Sequence, residues 1–555
     1  MRHLAAFLFF TLIVGCSTQR TADPVPDSPQ GTLFIGGTVV TGATQTPQKN
    51  YAVFASGGTI REVGPAETLR AAHPGARIVD ATGGTILPGL TDAHGHLYGL
   101  GVALETVNLV GTTSYEEVIA RVKQRAATAG PGEWITGRGW DQNDWSVKEF
   151  PTAAMLDAAL GDRPVVLERV DGHATLANSA AMRAAGVTAA TQDPEGGRIV
   201  RDANGNPTGI FIDAASALVD RAVPPVSVAQ RKARVLAAAK AIAATGLTEM
   251  HDAGIDGATI TAVQELIDEK RFPIRVYAML GDDAALLRTW FDSGPLIDYG
   301  GRLTVRAVKL YADGALGSRG AALLAPYSDD PGNSGLMVSR PEHLQDVARR
   351  GRAAGFQINT HAIGDRGVRE SINAYADAGV SAKDRFRIEH LQVISLDDIP
   401  RLSRHGIIAS MQPTHATSDM YWAEARVGPE RVRGAYVWRT ILESGGRLAL
   451  GSDFPVEDVN PFFGIYAAVT RQDQKQWPEG GWRPSERLTL AEAIRGFTSD
   501  AAFAAFEEKS RGTIEPGKLA DLTIVDGDLF AMPSSELFRA KVRYTVVGGE
   551  IVFGE

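Results

Sequence analysis

Two histidines separated by one glycine, His94 and His96, have the clearest potential for chemistry. Side chains two apart on a strand point the same way, so both imidazoles can face one point at a strand end. Two ring nitrogens placed in this way can hold a divalent metal. Gly89 and Gly95 allow the backbone to bend close to that point. A chance pair of surface histidines has the same spacing, so the pair alone does not decide the matter.

Further polar side chains accompany apolar, strand-like segments downstream. Lys309 lies within the run 306–310, and His361, His390 and Asp453 each stand at the end of a later run. In a (β/α)8 barrel the chemistry is located at the C-terminal ends of the strands. Because buried charged groups are costly unless they are paired or bound to metal, this series favours a metal site over ordinary core packing.

These segments belong to a pattern that predicts an α/β fold. Apolar runs alternate with Ala-rich helical stretches, as in a parallel sheet covered by helices. Eight such units predict a (β/α)8 TIM barrel over residues 83–505. The stretches near 97–164 and 172–245 exceed ordinary loops and are interpreted as insertions that cap the barrel mouth. A ninth run, 274–280, is an extra strand or displaces one of the eight. The predicted strands are 85–87, 165–167, 248–251, 306–310, 357–360, 386–389, 407–411 and 448–450.

The two ends of the chain have a different character. Short β-type segments separated by Gly-rich turns occupy residues 31–82 and again 506–555. Neither end has enough apolar residues to form a core of its own. We therefore predict that both ends together build one small β-sandwich domain beside the barrel.

The first residues have the pattern of an export signal. The apolar run 4–14 is too short to span a bilayer but has the length of a signal-peptide core. It leads into Cys16, the single cysteine of the chain, in a segment that resembles the lipobox of bacterial lipoproteins. The resemblance implies a signal peptide at 1–15, lipidation of Cys16 and a flexible tether at 16–30. The alternative is an ordinary secreted protein with an incidental cysteine.

This N-terminal segment predicts the location of the protein and its partners. We expect a lipid-anchored protein of the bacterial cell envelope that faces the periplasm, with the outer membrane favoured over the inner membrane. The lipid anchor would be its contact with the membrane. A formal net charge of −9 and the absence of any block of Lys and Arg argue against nucleic acid as a partner.

The order His-x-His, Lys, His, His, Asp on successive strands resembles the amidohydrolase superfamily of metal-dependent hydrolases. The flanking segments narrow the resemblance to the amidohydrolase-3, or YtcJ-like, branch, which includes N-substituted formamide deformylase. It covers essentially everything after residue 30, and the segments that carry it are 139–142, 171–173, 309–319, 451–455 and 512–522.

The resemblance implies a binuclear metal centre, with two groups of ligands and a bridge between them. Imidazole and oxygen ligands suit zinc, with manganese and iron as alternatives. The implied set is His94, His96 and Asp453 on one metal, His361 and His390 on the other, and Lys309 as the bridge in its N-carboxylated form.

Lys309 must lose its charge to act as a metal ligand. Burial beside metals lowers the pKa of a lysine and favours the neutral amine that reacts with carbon dioxide. The alternative for Lys309 is an ion pair with an acid such as Asp313, in which case the site would be mononuclear with Asp453 still at the reaction centre.

Four more residues are candidates for contact with the substrate. His173 and His251 stand at strand ends and would contact substrate or orient a metal ligand from behind. Trp140 and Arg319 lie in the family-like segments and are expected to line the pocket. Arg319 has a surface ion pair as its alternative.

Three residues near the predicted site are expected to have no role in it. His405 and His415 are interpreted as structural, although His415 follows the seventh predicted strand. Glu389 directly precedes His390, so strand alternation predicts that its side chain points away from the metal.

The resemblance implies a hydrolase that cleaves an amide or formamide C–N bond of a small molecule with metal-activated hydroxide. Asp453 would accept the proton of the attacking water and return it to the leaving nitrogen. A deaminase, a cyclic-amide hydrolase or a lactonase would use the same ligands. A metal-containing lipoprotein that binds without turnover is the alternative from another class. Family members often form homodimers, which is an expectation here as well.

Overall fold

The computed structural model describes residues 30–42, 46–130, 132–169, 172, 174–194 and 197–554. The predicted signal peptide at 1–15 and the lipidation site Cys16 lie outside the described residues, as do Asp171 and His173 of the 171–173 segment. Within the described part of the chain, no helix has both the length and the apolar character needed to cross a bilayer.

The centre of the molecule is a barrel of eight parallel strands, so the predicted fold class is confirmed. Neighbours in the barrel are neighbours in the chain, in the order one to eight, and the short strand Leu296–Tyr299 adds antiparallel to strand four. Barrel strands one to eight are Leu90–Gly95, Leu247–Ile255, Arg275–Leu280, Leu303–Tyr311, Gln357–Ala362, Arg387–His390, Ile408–Met411 and Arg447–Leu450.

Two of the eight predicted strands lie elsewhere. The run 85–87 is part of Thr85–Pro88, which pairs with Leu522–Val525 in the small sheet. The run 165–167 belongs to a separate sheet in the insertion. Their places in the barrel are taken by Leu90–Gly95 and by the ninth run, Arg275–Leu280.

Polarity explains the first of these errors. Strand one has the sequence Leu-Thr-Asp-Ala-His-Gly, which resembles a loop, yet all six residues are buried. Its polar side chains are inside because they have partners there, and the carboxylate of Asp92 accepts hydrogen bonds from Ser452. An apolar run was therefore a poor guide to a strand that carries the chemistry.

A seam between strands one and eight closes the barrel. The backbone N–H of Asp453 donates to the carbonyl of His94 over 2.7 Å. The hydroxyl of Ser452 donates to Asp92 over 2.7 Å. Gly451 is required there, because a Cβ at this position would lie 2.6 Å from both Asp92 Oδ1 and His94 N.

Between barrel strands one and two the chain builds a second sheet of six strands. Its core contains Leu109, Trp140, Leu167 and Ile210, all fully buried, so the insertion has a hydrophobic core of its own. In spatial order the strands are Gly197–Arg201, Pro207–Asp213, Ala174–Ala177, Val165–Arg169, Ile135–Trp140 and Val107–Asn108.

Among the described residues, both ends of the chain join in a third sheet of eight strands. Strands at its two edges share one core, in which Val53 and Ile60 from the N-terminal part cluster with Val546 and Ile551 from the C-terminal part. The sheet therefore curls over its own core. Its strands are Thr32–Thr41, Thr46–Ser56, Thr59–Pro65, Arg77–Asp80, Thr85–Pro88, Leu522–Val525, Val542–Val547 and Glu550–Phe553.

Helices surround the barrel and connect the three sheets. The α-helices are Ala66–Ala72, Leu97–Glu105, Tyr115–Thr128, Ala153–Leu160, Ser179–Ala184, Ala217–Asp220, Val228–Ala244, Gly257–Asp268, Ala284–Ser293, Pro341–Ala353, Asp365–Asp377, Ile399–His405, Pro413–Asp419, Ala423–Arg431, Trp438–Glu443, Pro461–Thr470, Leu490–Gly496 and Ser499–Ala504. Short 3-10 helices span Gln142–Asp144, Leu396–Asp398, Val432–Gly434, Pro484–Glu486 and Ser534–Arg539.

Candidate active site

A cavity of about 520 Å³ opens at the C-terminal ends of the barrel strands. Its floor brings together all six residues that the sequence nominated as metal ligands. Its wall is formed by residues of the loops after strands four to eight. The six floor residues are His94, His96, Lys309, His361, His390 and Asp453.

A larger cavity of about 750 Å³ lies between the insertion and the helix Val228–Ala244. Its charged side chains neutralise each other, since Arg125 pairs with Glu133 and Arg234 pairs with Glu105. Functional clefts leave polar groups available to a ligand. The smaller cavity is therefore the candidate site.

His94 is fixed in one orientation by a carboxylate beneath it. Its Nδ1 donates to Oε2 of Glu389 over 2.5 Å, and both side chains are fully buried. Its Nε2 faces the cavity floor, 3.2 Å from Lys309 Nζ and 3.6 Å from Asp453 Oδ1. Burial, with the charge of Lys309 as the next cause, holds the pKa of His94 well below its usual value, so the ring is neutral.

His390 reaches the same point by leaving regular strand geometry. Its backbone φ is +71°, in the left-handed region that residues other than glycine rarely occupy. Its Nδ1 donates to Oε1 of Gln412 over 2.9 Å, and its ring centroid lies 4.6 Å from those of His94 and His361. This kink also explains why the prediction for Glu389 was wrong. Alternation places Glu389 inside the barrel, and the kink brings His390 back into the site.

Asp453 is the carboxylate on which the imidazoles converge. Its Oδ1 lies 3.0 Å from His96 Nε2, and its Oδ2 lies 4.0 Å from His390 Nδ1 and 3.7 Å from His415 Nε2. Burial alone would raise its pKa, but the hydrogen bond with His96 and the nearby imidazoles bring the pKa below its usual value. Asp453 is therefore ionised at neutral pH. Its backbone φ of +67° places it, like His390, in a strained conformation at the site.

Lys309 is buried without a carboxylate partner. Among the described residues, no ion pair joins it to Asp313, which instead accepts hydrogen bonds from the backbone N–H groups of Ile363, Gly364 and Ala322. Burial lowers the pKa of Lys309 to about 8, although Glu389 and Asp453 act in the opposite direction. The alternative of an ion pair with Asp313 is therefore wrong.

The side chains on the floor fit a divalent metal. His94, His390 and Asp453 bring ligand atoms within 4.8 Å of one another. In both histidines Nδ1 donates to an acceptor, so Nε2 carries the lone pair of each ring, and that of His94 lies 3.2 Å from Lys309 Nζ. Metal-binding histidines commonly have such an acceptor behind them, because it fixes the tautomer.

His415 was interpreted as structural, but it lines the cavity. It lies on the helix Pro413–Asp419, directly after strand seven, and is 7% exposed. Its Nδ1 lies 3.1 Å from the amide nitrogen of Gln392, and its Nε2 is buried with no hydrogen-bond partner among the described residues. Its position after a barrel strand was the signal that could have identified it.

Three of the four candidate substrate contacts are described, and they lie elsewhere. His251, on strand two, is fully buried beside Arg387, whose Nη1 is 2.9 Å from its Nδ1. Trp140 is in the core of the insertion, where its indole N–H donates to the carbonyl of Leu167. Arg319 forms a bidentate ion pair with Asp329, in which its Nε and Nη2 lie 3.1 and 3.0 Å from the two carboxylate oxygens. This is the alternative that the sequence allowed. None of the three is a lining residue of the described cavity.

Comparison with known families identifies the chain. A model of the amidohydrolase family matches residues 77–553, which include the whole barrel and the cavity floor. The chain belongs to the amidohydrolase family. The resemblance seen in its motifs is thus confirmed. A second model, of a bacterial imidazolonepropionase-like composite domain, matches residues 52–76 of the small sheet, away from the floor residues.

Individual relatives of this amidohydrolase cover nearly its full length. The YtcJ protein of Bacillus subtilis is 34% identical over 532 residues, which are 94% of this chain and 99% of that protein. N-substituted formamide deformylase of Arthrobacter pascens is 27% identical over 90% of this chain and 94% of that enzyme. The crystal structure of an uncharacterized metal-dependent hydrolase from Pyrococcus furiosus has a TM-score of 0.74 and 29% identity, and covers 90% of this chain and 99% of that chain.

Family and geometry agree on the class of the enzyme. The chain is a hydrolase of the amidohydrolase superfamily, and its barrel carries a candidate metal site at the C-terminal ends of its strands. The family alone does not define the substrate, because relatives with one fold and one metal site act on different compounds.

Proposed function

We propose that the protein hydrolyses the C–N bond of a small amide, with N-substituted formamides as the first candidates. The observation that carries this proposal is the convergence of two neutral imidazoles and an ionised carboxylate in a cavity of about 520 Å³. The similarity to N-substituted formamide deformylase supports the choice of formamides.

His94, His390 and Asp453 would hold a divalent ion, with His96 beside them, and zinc suits such nitrogen and oxygen ligands. When bound, such an ion acidifies water and polarises a carbonyl group. Asp453 has the position and charge to accept the proton of the attacking water on a carboxylate oxygen. The same carboxyl group then delivers this proton to the leaving nitrogen.

Lys309 and His361 extend the floor and would hold a second ion. We propose that Lys309 is N-carboxylated, because it is buried, lacks an acidic partner and has a pKa of only about 8. A neutral amine reacts with carbon dioxide to form a carbamate with two oxygen ligands. Carbon-13 NMR of protein prepared with labelled bicarbonate should show one carbamate signal that Lys309→Arg abolishes. Its absence from the wild type would contradict the carboxylation.

The residues of the cavity wall favour a neutral or cationic substrate that has an apolar part. Leu316, Trp422 and Val456 provide apolar surface, while Asp419 and Glu457 add negative charge. Carboxylates at a pocket wall disfavour anionic substrates. A small amide or formamide of an amine fits these surroundings better than an amide that carries a carboxylate.

A substrate panel tests the proposal. The metal-loaded enzyme is assayed with an N-alkyl formamide, a simple amide, a cyclic amide, an imine and a lactone. We expect the fastest turnover on the formamide. The kcat of Asp453→Asn should be at least about 100-fold lower than that of the wild type, because general acid–base catalysis typically contributes 10²–10⁴-fold.

Asp292→Asn is the matched control, since Asp292 is exposed on the helix Ala284–Ser293. It should retain wild-type turnover. Near-wild-type activity of Asp453→Asn would contradict its role in proton transfer. Bound metal without turnover on any of the five compounds would favour a binding protein.

We propose further that the protein is anchored to the envelope through Cys16, on the strength of the sequence pattern at its N-terminus. Labelling cells with a radioactive fatty acid should mark the wild type but not Cys16→Ala. Equal labelling of both would contradict lipidation.

The expected homodimer is tested by light scattering on protein that begins at residue 30, and a monomeric mass would contradict it.

A further inference from the structure

We propose that His415 is a catalytic residue that donates a hydrogen bond from Nε2 to the substrate oxygen as negative charge develops on it. The inference rests on the proposed amide hydrolysis. It adds a residue to which neither the motifs nor the predicted ligand set gave a role.

The tautomer of His415 is opposite to that of the two metal-facing histidines. His94 and His390 each have an acceptor at Nδ1, namely Glu389 and Gln412. His415 instead has a donor there, because the amide nitrogen of Gln392 lies 3.1 Å from its Nδ1. A neutral imidazole that accepts at one nitrogen carries its proton on the other. His415 therefore presents an N–H to the cavity, whereas the other two present a lone pair.

The Nε2–H of His415 has no partner within the protein. The atom is buried without a hydrogen bond among the described residues, which is unfavourable unless a ligand provides the acceptor. It lies 3.7 Å from Asp453 Oδ2, too long for a hydrogen bond but within one substrate atom of the reaction centre. A donor placed beside the reacting carbonyl in this way is the arrangement of an oxyanion hole.

His415 lies outside the cluster of three residues that forms the candidate metal site. The described residues whose ligand atoms cluster within 4.8 Å are His94, His390 and Asp453. The ring of His415 stacks on that of His390, at a centroid distance of 5.8 Å and an angle of 21°. This stacking contact restricts the orientation of the imidazole, and Gln392 is the positioning residue that fixes its tautomer.

The test compares His415→Ala with the wild type on an N-alkyl formamide. We expect kcat to fall about 10²- to 10³-fold, as for the loss of one oxyanion-hole donor. KM should change little and the metal content should be unchanged. Gln392→Met, which removes only the orienting donor, should lower kcat by a smaller factor of about 3 to 10, the value of one hydrogen bond. His405→Ala is the control histidine outside the cavity lining.

Three results would overturn the inference. The first is a kcat of His415→Ala within about threefold of the wild type, which is below the loss of one hydrogen bond. The second is a loss of bound metal in this variant, which would make His415 a ligand. The third is a proportionate loss of kcat in His405→Ala, which would indicate a general effect on folding.

A binding measurement separates the failure of this inference from that of the proposed function. If the wild type hydrolyses no amide, calorimetric titration with methylphosphonate, a stable tetrahedral oxyanion, replaces the kinetics. We expect His415→Ala to bind it at least about tenfold more weakly, with metal content unchanged, as expected for a lost hydrogen bond to a charged group. Equal affinity, or no binding by the metal-loaded wild type, would contradict the donor role.

Discussion

The two ends of the barrel bury charged groups in different ways. At the N-terminal end, Arg275 and Asp521 form two hydrogen bonds of 2.8 and 2.9 Å, and Arg511 lies 3.1 Å from Glu249. At the C-terminal end, Lys309 is equally buried but has no ion pair among the described residues. Charges that are neutralised by the protein maintain the fold. A cation without an acidic partner at the other end indicates a position prepared for chemistry.

Removing one cation from each end of the barrel tests this difference between the two ends. Arg275→Met should destabilise the protein by about 3–5 kcal/mol, because it leaves the charge of Asp521 buried and unpaired. Lys309→Met should keep the stability within about 1 kcal/mol while activity is lost, since it breaks no ion pair among the described residues. Chemical denaturation and turnover measure the two effects.

The double variant Arg275→Met/Asp521→Leu is the control for the N-terminal end. Replacing both partners of a buried pair is often close to neutral, so stability should largely return. A double variant as unstable as Arg275→Met would show that the pair is not the cause.

The second prediction concerns the carboxylate behind the metal site. Glu389→Gln keeps the size of the side chain but removes the charge that holds Nδ1–H of His94. Metal affinity or turnover should fall about 10- to 100-fold, as is usual when the partner of a metal-bound histidine is lost. Gln345→Glu, a charge change of one unit on the outer helix Pro341–Ala353, is the control. Unaltered metal affinity in Glu389→Gln would show that Glu389 does not support metal binding by His94.

The sequence predicts the candidate metal ligands better than it predicts the local backbone and the packing of the pocket. The ligand candidates were found because histidine, lysine and aspartate are unusual at buried strand ends, and these types are visible in the sequence. Glu389 shows the limit, since its side chain and that of His390 both reach the site only because of a backbone kink that no periodicity encodes. Trp140 shows another, because a family-like motif placed it at the pocket whereas its side chain fills the core of the insertion.

The same reasoning explains the two misplaced strands. Thr85–Pro88 is apolar and pairs well in either sheet, so its destination is decided by its contact with Leu522–Val525, more than 430 residues away in the chain. Strand one is polar because Asp92 and His94 have partners across the seam. Long-range pairing of this kind is not readable from local patterns.

The third prediction uses pH to test the N-terminal end. Burial alone would raise the pKa of Asp521, but the charge and hydrogen bonds of Arg275 lower it to about 2, below the ordinary value of 3.8. Because the pKa is depressed in the folded state, the stability from this pair is fully present above about pH 4 and is lost as the pH falls toward 2.

Denaturation of the wild type and of Arg275→Met/Asp521→Leu at pH 5, 4 and 3 measures this contribution. The difference in the pH dependence of the two should appear only below about pH 4. Parallel curves over the whole range would contradict the depressed pKa.

The smallest expected effect separates the insertion from the site. Trp140→Phe removes the hydrogen bond from the indole to Leu167, so stability should fall by about 1 kcal/mol. Turnover should stay at the wild-type level, because Trp140 does not line the described cavity. A change in KM larger than about threefold would return Trp140 to the candidate substrate contacts.

We propose that the C-terminal end of the barrel holds divalent metal through His94, His390 and Asp453. Metal analysis of protein equilibrated with zinc and then dialysed tests it most directly, with His94→Ala/His390→Ala/Asp453→Ala beside the wild type and Arg275→Met/Asp521→Leu. We expect one or two tightly bound ions per chain in the wild type and in the N-terminal variant, and loss of tight binding in the triple variant. Equal metal content in all three proteins would contradict it.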